Sequence, residues 1–215
     1  MNNCISHGGH LIGFIGVLLL AGCAVSTDQI DEDEGDDGFD STAYSHPIGA
    51  PLAKAFTTLT GKTWIVRQTP LSDPSQVNIS VEVRGFSTDS ALVEFGENDP
   101  VIAIQQADLD KDGFEELYLF TRSTDPEAYG TVFGLYSNQD KSVSMISFEG
   151  ATPYNTKEGE SYAGYQGKDV FMIEDGVLRN AFPIHLADGT IQGQRTVVYE
   201  LVSGETSMRL RPVEK

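Results

Sequence analysis

The chain is short of cysteine and short of positive charge, and each shortage narrows what it can be. Its two cysteines, Cys4 and Cys23, both lie in the first 23 of 215 residues. Residues 24–215 therefore hold no disulfide, and any fold there must rest on its core alone. Lys and Arg number 14 against 32 Asp and Glu, a formal net charge of −18. That balance argues against nucleic acid, whose phosphates need cations to neutralise them. It suits a basic protein partner steered by an acidic surface, or an acidity that serves only solubility. No membrane-length apolar run is present: the run from Leu11 to Leu20 spans about ten residues, the size of a signal-peptide centre. No ten-residue helical stripe and no internal repeat can be found. G-x-S-x-G, H-E-x-x-H and a Cys–His pair are all missing, and only His46 and His185 lie beyond the signal-like segment. A glycosidase pair is defined by carboxyls about 5–9 Å apart in space, which a sequence does not give. The expectation is a protein that is not an enzyme.

What is present begins with Leu20-Ala21-Gly22-Cys23, which resembles the lipobox of bacterial lipoproteins. The resemblance implies cleavage before Cys23, a diacylglyceryl group on its thiol and usually an acylated amine. Ala24 in the next position implies the outer membrane; the expected location is the cell envelope, with the domain facing the periplasm. The n-region departs from the pattern in having no Lys or Arg, only His7 and His10. Two or three acyl chains anchor stably where one is marginal. Eight carboxylates follow between Asp28 and Asp40, a run that cannot bury enough apolar surface to fold. The expected division is a signal segment over 1–22, a lipidated cysteine with a disordered acidic tether over 23–50, and one domain over 51–215.

From about residue 52 the apolar period is two. Val77, Ile79, Val81 and Val83 alternate with Asn78, Ser80, Glu82 and Arg84. Two strands are expected around Gly61-Lys62 and a hairpin around Asp175-Gly176, a favoured type I′ pair. "TVFGLYS" and "RTVVYELV" add further strands. The fold class expected is all-β: a single antiparallel β-sandwich-like domain behind the tether.

The segment "ADLDKDGFEELYLF", residues 107–120, concentrates the chemistry. Asp108, Asp110, Asp112 and Glu116 alternate around Gly113, with the Phe114 carbonyl as a fifth oxygen. Alternate positions in a tight loop converge, which is how Ca²⁺ gathers hard oxygen ligands. A helical EF-hand is excluded, because its twelfth position is Leu119 and a strand follows. The spacing resembles the calcium loops of FG-GAP repeats, in one copy. Two readings stay open: a structural Ca²⁺ site, or a turn whose Asp side chains cap its own backbone N–H groups.

Four segments in order carry a wider resemblance: Asp108 to Leu117, Tyr129-Gly130, Gly164 to Phe171 ("GYQGKDVF"), and Tyr199 to Glu205 ("YELVSGE"). Together they are similar to the periplasmic inhibitors of i-type lysozyme, the PliI family, over roughly residues 52 to 211. The resemblance implies an all-β, often dimeric envelope protein. Its lysozyme inhibition would come from a loop that enters the enzyme's cleft and offers hydroxyls to the two catalytic carboxyls. The residues it assigns to that loop are Ser123, Thr124, Tyr129 and Gly130. The chain departs from the family's Ser-Gly tip at Pro126 and Glu127, which bring a carboxylate and remove a hydroxyl. The competing reading is a calcium-stabilised, non-catalytic envelope-binding or adhesion module that has lost inhibition.

Overall fold

The computed structural model describes residues 44–88 and 91–213. The signal-like segment, Cys23 and the acidic run lie outside the described residues. Among the described residues, thirteen strands run in chain order: β1 (Tyr44–Ser45), β2 (Leu52–Thr57), β3 (Thr63–Pro70), β4 (Val77–Arg84), β5 (Ala91–Asn98), β6 (Val101–Ala107), β7 (Glu116–Arg122), β8 (Gly130–Ser137), β9 (Val143–Phe148), β10 (Val170–Glu174), β11 (Val177–His185), β12 (Ile191–Ser203) and β13 (Met208–Pro212). They form a four-stranded sheet, β2-β3-β4-β5, and a nine-stranded sheet in the order β1-β6-β7-β8-β9-β13-β12-β11-β10. The described residues contain no helix, and the all-β expectation holds.

Side-chain alternation explains the layering. On β4, Val77, Ile79, Val81 and Val83 are buried, and they join Trp64 and Val66 of β3 under one face of β6–β8. The opposite face of β6–β9 packs on β10–β13, with Phe171, Leu178, Phe182, Tyr199 and Leu210 in that second core. The strands β6–β8 are thus covered on both sides. β7 shows the consequence: Leu117 and Leu119 enter the first core, Tyr118 and Phe120 the second, and Glu116 through Thr121 are all buried. A strand enclosed on both faces reads as a continuous apolar run, as "LYLF" does.

Two buried glutamines bind the layers together. Gln68 on β3 accepts from the Val101 N–H at 2.7 Å and donates to the Ala50 carbonyl at 2.6 Å. Val101 sits where a bulge interrupts the β6–β7 ladder, so its N–H is bonded by a side chain instead. Gln105 on β6 treats the edge strand β10 as a partner strand would: it donates to the Ile173 carbonyl at 3.1 Å and accepts from the Ile173 N–H at 2.8 Å. Buried backbone groups left unmade would cost about 1–3 kcal/mol each.

Two features differ from expectation. The stretch expected as tether through residue 50 is already part of the sheet at Tyr44–Ser45, which pairs with Ala103 and Ile104 of β6. The His46 N–H continues the contact to the Ile102 carbonyl at 2.7 Å. An edge strand invites such pairing, and two residues carry no periodicity to announce it. The second is a parallel junction, Ser147–Phe148 of β9 with Arg209–Leu210 of β13. These strands are separated by most of the C-terminal third of the chain, so no hairpin dictates their direction.

Candidate functional site

β7 connects the two regions that the sequence singles out. At about 3.3 Å per residue its ends are roughly 20 Å apart, with the acidic turn before it and the β7–β8 loop after it.

The acidic turn brings its four carboxylates together: one oxygen from each of Asp108, Asp110, Asp112 and Glu116 lies within 4.8 Å of the others. Lys111 (φ 60°) and Gly113 (φ 91°) adopt the left-handed region, which coils the chain around this point. Asp108 accepts from the N–H groups of Asp112 (3.0 Å) and Gly113 (2.9 Å). Phe114 enters through its N–H, donated to Asp112 Oδ1 at 2.9 Å. The self-capping interactions and the oxygen cluster therefore coexist. Tyr136 on β8 places its hydroxyl 3.1 Å from Asp110 Oδ2 and 3.0 Å from Asp112 Oδ2, one proton for two carboxylates. Glu116, the first residue of β7, is 0% exposed. Its Oε2 accepts from the Leu109 N–H at 3.0 Å and the Tyr118 hydroxyl at 3.3 Å, and its buried Oε1 has no partner. Burial pushes its carboxyl up to about 8, and the charges of Asp110, Asp108 and Asp112 add to the shift while the Leu109 N–H opposes it.

At the other end, residues 123–129 form a self-braced loop. The Ser123 N–H donates to the Tyr129 carbonyl at 2.8 Å. The Ser123 hydroxyl donates to Asp125 Oδ1 at 2.9 Å and accepts from the Tyr129 N–H at 2.8 Å. Asp125 Oδ1 also takes the Ala128 N–H at 2.9 Å. Ser123, expected to face an enzyme, is thus occupied within the loop. Thr124, Pro126 and Glu127 are exposed at the tip, and Tyr129 is 44% exposed beside Tyr165, ring centres 6.0 Å apart.

The loop is seated on residues 164–169. The Lys168 N–H donates to the Glu127 carbonyl at 2.6 Å. Asp169, 1% exposed, is the hub: Oδ2 accepts from the Gly130 N–H (2.8 Å) and the Tyr165 hydroxyl (2.6 Å), and Oδ1 from Asn180 Nδ2 (2.8 Å). Its carbonyl receives Arg122 Nη2 at 3.0 Å. Gly130 has no room for a side chain, since a Cβ there would lie 2.9 Å from Asp169 Cβ. Behind the hub, Tyr162 and Tyr199 meet hydroxyl to hydroxyl. Burial, and then Asp169, holds the Tyr165 phenol above its ordinary range.

The segments Tyr129-Gly130 and Gly164 to Phe171, read separately in the sequence, meet through Asp169 and Tyr165, and Tyr199 joins them through Tyr162, whose ring centre is 5.3 Å from that of Tyr165. Asp169 and Gly167 were not singled out as site residues. The signal available was an acidic residue set immediately before the apolar start of β10, where a charge is expected to be paired. Beneath the tip, Asp99 has its carboxyl raised, first by burial and further by the charge of Asp125. His46 Nε2 bonds the Ala50 carbonyl at 2.9 Å, and His185 gives its backbone N–H to the Gly164 carbonyl at 2.8 Å. Neither histidine stands at the loop tip. Searches of protein-family models, curated proteins and solved structures found no match to this chain.

Proposed function

We propose that the protein is a lipid-anchored envelope protein that binds and inhibits a lysozyme through the β7–β8 loop. The observation that carries the reading is the seating of that loop: an exposed tip whose backbone is held by Ser123 at its base, by the Lys168 N–H at Glu127 and by Asp169 at Gly130. A segment ordered before binding loses less conformational entropy on docking, and inhibitors that block clefts depend on that. Two hydroxyls remain for the enzyme, those of Thr124 and Tyr129, both exposed. Donated to the glycosidase's acid and to its nucleophile or base, they would engage both catalytic carboxyls. The net charge of −18 favours encounter with a basic enzyme. Asp125 Oδ1 is bonded within the loop, but Asp125 and Glu127 are both exposed, so a partner would have to accommodate two carboxylates at the tip. Anchoring would run through Cys23 to the outer membrane, with the domain in the periplasm.

A second reading, a non-catalytic module for another envelope partner, draws on Pro126 and Glu127 at the tip where the resemblance implies Ser-Gly. Inhibition assays with wild type and Tyr129→Ala separate the two. The proposed function requires inhibition of one lysozyme class and its loss in a folded variant. The second reading requires no inhibition by either.

A further inference from the structure

We propose that Asp108, Asp110, Asp112 and Glu116 form a calcium site that locks the start of β7 to the β6–β7 turn. The inference is independent of the proposed function. Acidic side chains gathered on a surface are common without a ligand, and the three aspartates alone would mean little. Glu116 is different. It is fully buried on the central strand, and no donor reaches its Oε1. A buried carboxyl with an unbonded oxygen is costly, whether it carries a charge or holds its proton. Four ion pairs occur among the described residues, and none involves these four groups. Tyr136 supplies one proton for two aspartates. Three backbone N–H groups and the Tyr136 hydroxyl serve the aspartates, but no cationic side chain does, and Glu116 Oε1 is left with no donor; a cation would supply what both lack.

The donor set selects the ion. All ligands are carboxylate oxygens, with no nitrogen or sulfur, which favours a hard cation. Opposed oxygens around Ca²⁺, at 2.3–2.6 Å each, are about 4.6–5.2 Å apart, and the cluster's separations of 4.8 Å or less fit that sphere. Mg²⁺ would require shorter bonds and near-octahedral order. A bound ion would tie together β6 through Asp108, β7 through Glu116 and, by the Tyr136 hydroxyl, β8. The same turn reaches the four-stranded sheet, because Glu115 Oε2 accepts the Leu59 N–H at 2.6 Å.

The test is a titration of metal-stripped protein with Ca²⁺, followed by thermal unfolding and by Tb³⁺ emission excited through tyrosine. Tyr118 and Tyr136 touch the ligands, so Tb³⁺ bound there should be sensitised. The expected result is a rise in Tm of several degrees, saturating at or below about 1 mM Ca²⁺, with a clearly smaller response to Mg²⁺. Glu116→Gln and Asp110→Asn, checked as folded by circular dichroism, should weaken the Ca²⁺ response at least about tenfold. Equal Tm in Ca²⁺ and chelator with no sensitised emission would overturn the site. So would an unchanged Ca²⁺ response in folded Glu116→Gln, or an equal response to Mg²⁺.

Discussion

Gly167 lies directly against Glu127: a Cβ on Gly167 would stand 2.2 Å from the Glu127 carbonyl oxygen. The backbone there is also left-handed, with φ 87°. This contact makes the loop tip and the "GYQGKD" segment one unit, although about forty residues of chain separate them. Gly167→Ala should therefore displace the loop while leaving both cores in place. The expected outcome is a stability loss of about 1–3 kcal/mol together with a loss of lysozyme binding larger than that of an exposed-site mutation. Chemical denaturation and inhibition measured on the same preparation check it; full inhibition would show that the contact is dispensable.

Asp169 is the second anchor, and its two obvious variants should differ. Asp169→Ala leaves the Gly130 N–H, the Tyr165 hydroxyl and Asn180 Nδ2 without their acceptor. The expected cost is about 3 kcal/mol or more. Asp169→Asn should be milder, because Asn180 has an unpartnered Oδ1 that an amide flip would turn toward the new donor. Equal destabilisation by the two would contradict this hydrogen-bond assignment. Urea midpoints measure it.

Gln105 supports the β10 edge alone at Ile173. Gln105→Leu keeps the volume but leaves the Ile173 N–H and carbonyl unbonded, and should lower stability by about 2–4 kcal/mol. Amide exchange at Ile173 should accelerate before that of β7, since β10 would open while the central strand stays paired. Uniform acceleration across the sheet would refute that order.

Without calcium, Glu116 predicts a direction of pH dependence. Its folded value near 8 lies above the ordinary 4.5, so the folded state holds the proton more tightly than the unfolded chain. The associated stability is fully present below about pH 4.5, falls as pH rises and is lost above about 8. The groups facing it are Asp108, Asp110 and Asp112 from the turn, Tyr118 on its own strand and, through the aspartates, Tyr136 from β8. Denaturation midpoints in chelator should fall from pH 5.5 to 8.5, and Glu116→Gln should flatten that fall. A slope identical in both proteins would remove Glu116 as its origin.

Much of the fold was legible because its signals are local. The alternation over Val77–Arg84 became β4, and the Asp175-Gly176 turn has both residues at positive φ, 53° and 69°, as a type I′ hairpin requires. The convergence of Asp108, Asp110, Asp112 and Glu116 followed from their spacing around Gly113. What sequence could not show depends on distant partners. Ser123 reads as a free hydroxyl until Tyr129 and Asp125 are seen to occupy it. Gly167 reads as a turn residue until Glu127 is found against it, and Asp169 reads as a polar loop residue until Arg122, Gly130, Tyr165 and Asn180 are found bonded to it. The parallel β9–β13 junction and the two-residue β1 leave no periodic trace.

The central claim is tested most directly by assaying the purified protein against i-type, c-type and g-type lysozymes, with Tyr129→Ala alongside. The account predicts inhibition of at least one class at nanomolar to submicromolar concentration, weakened by salt and lost in the variant at unchanged stability. No inhibition of any class at micromolar concentration by demonstrably folded protein would contradict it.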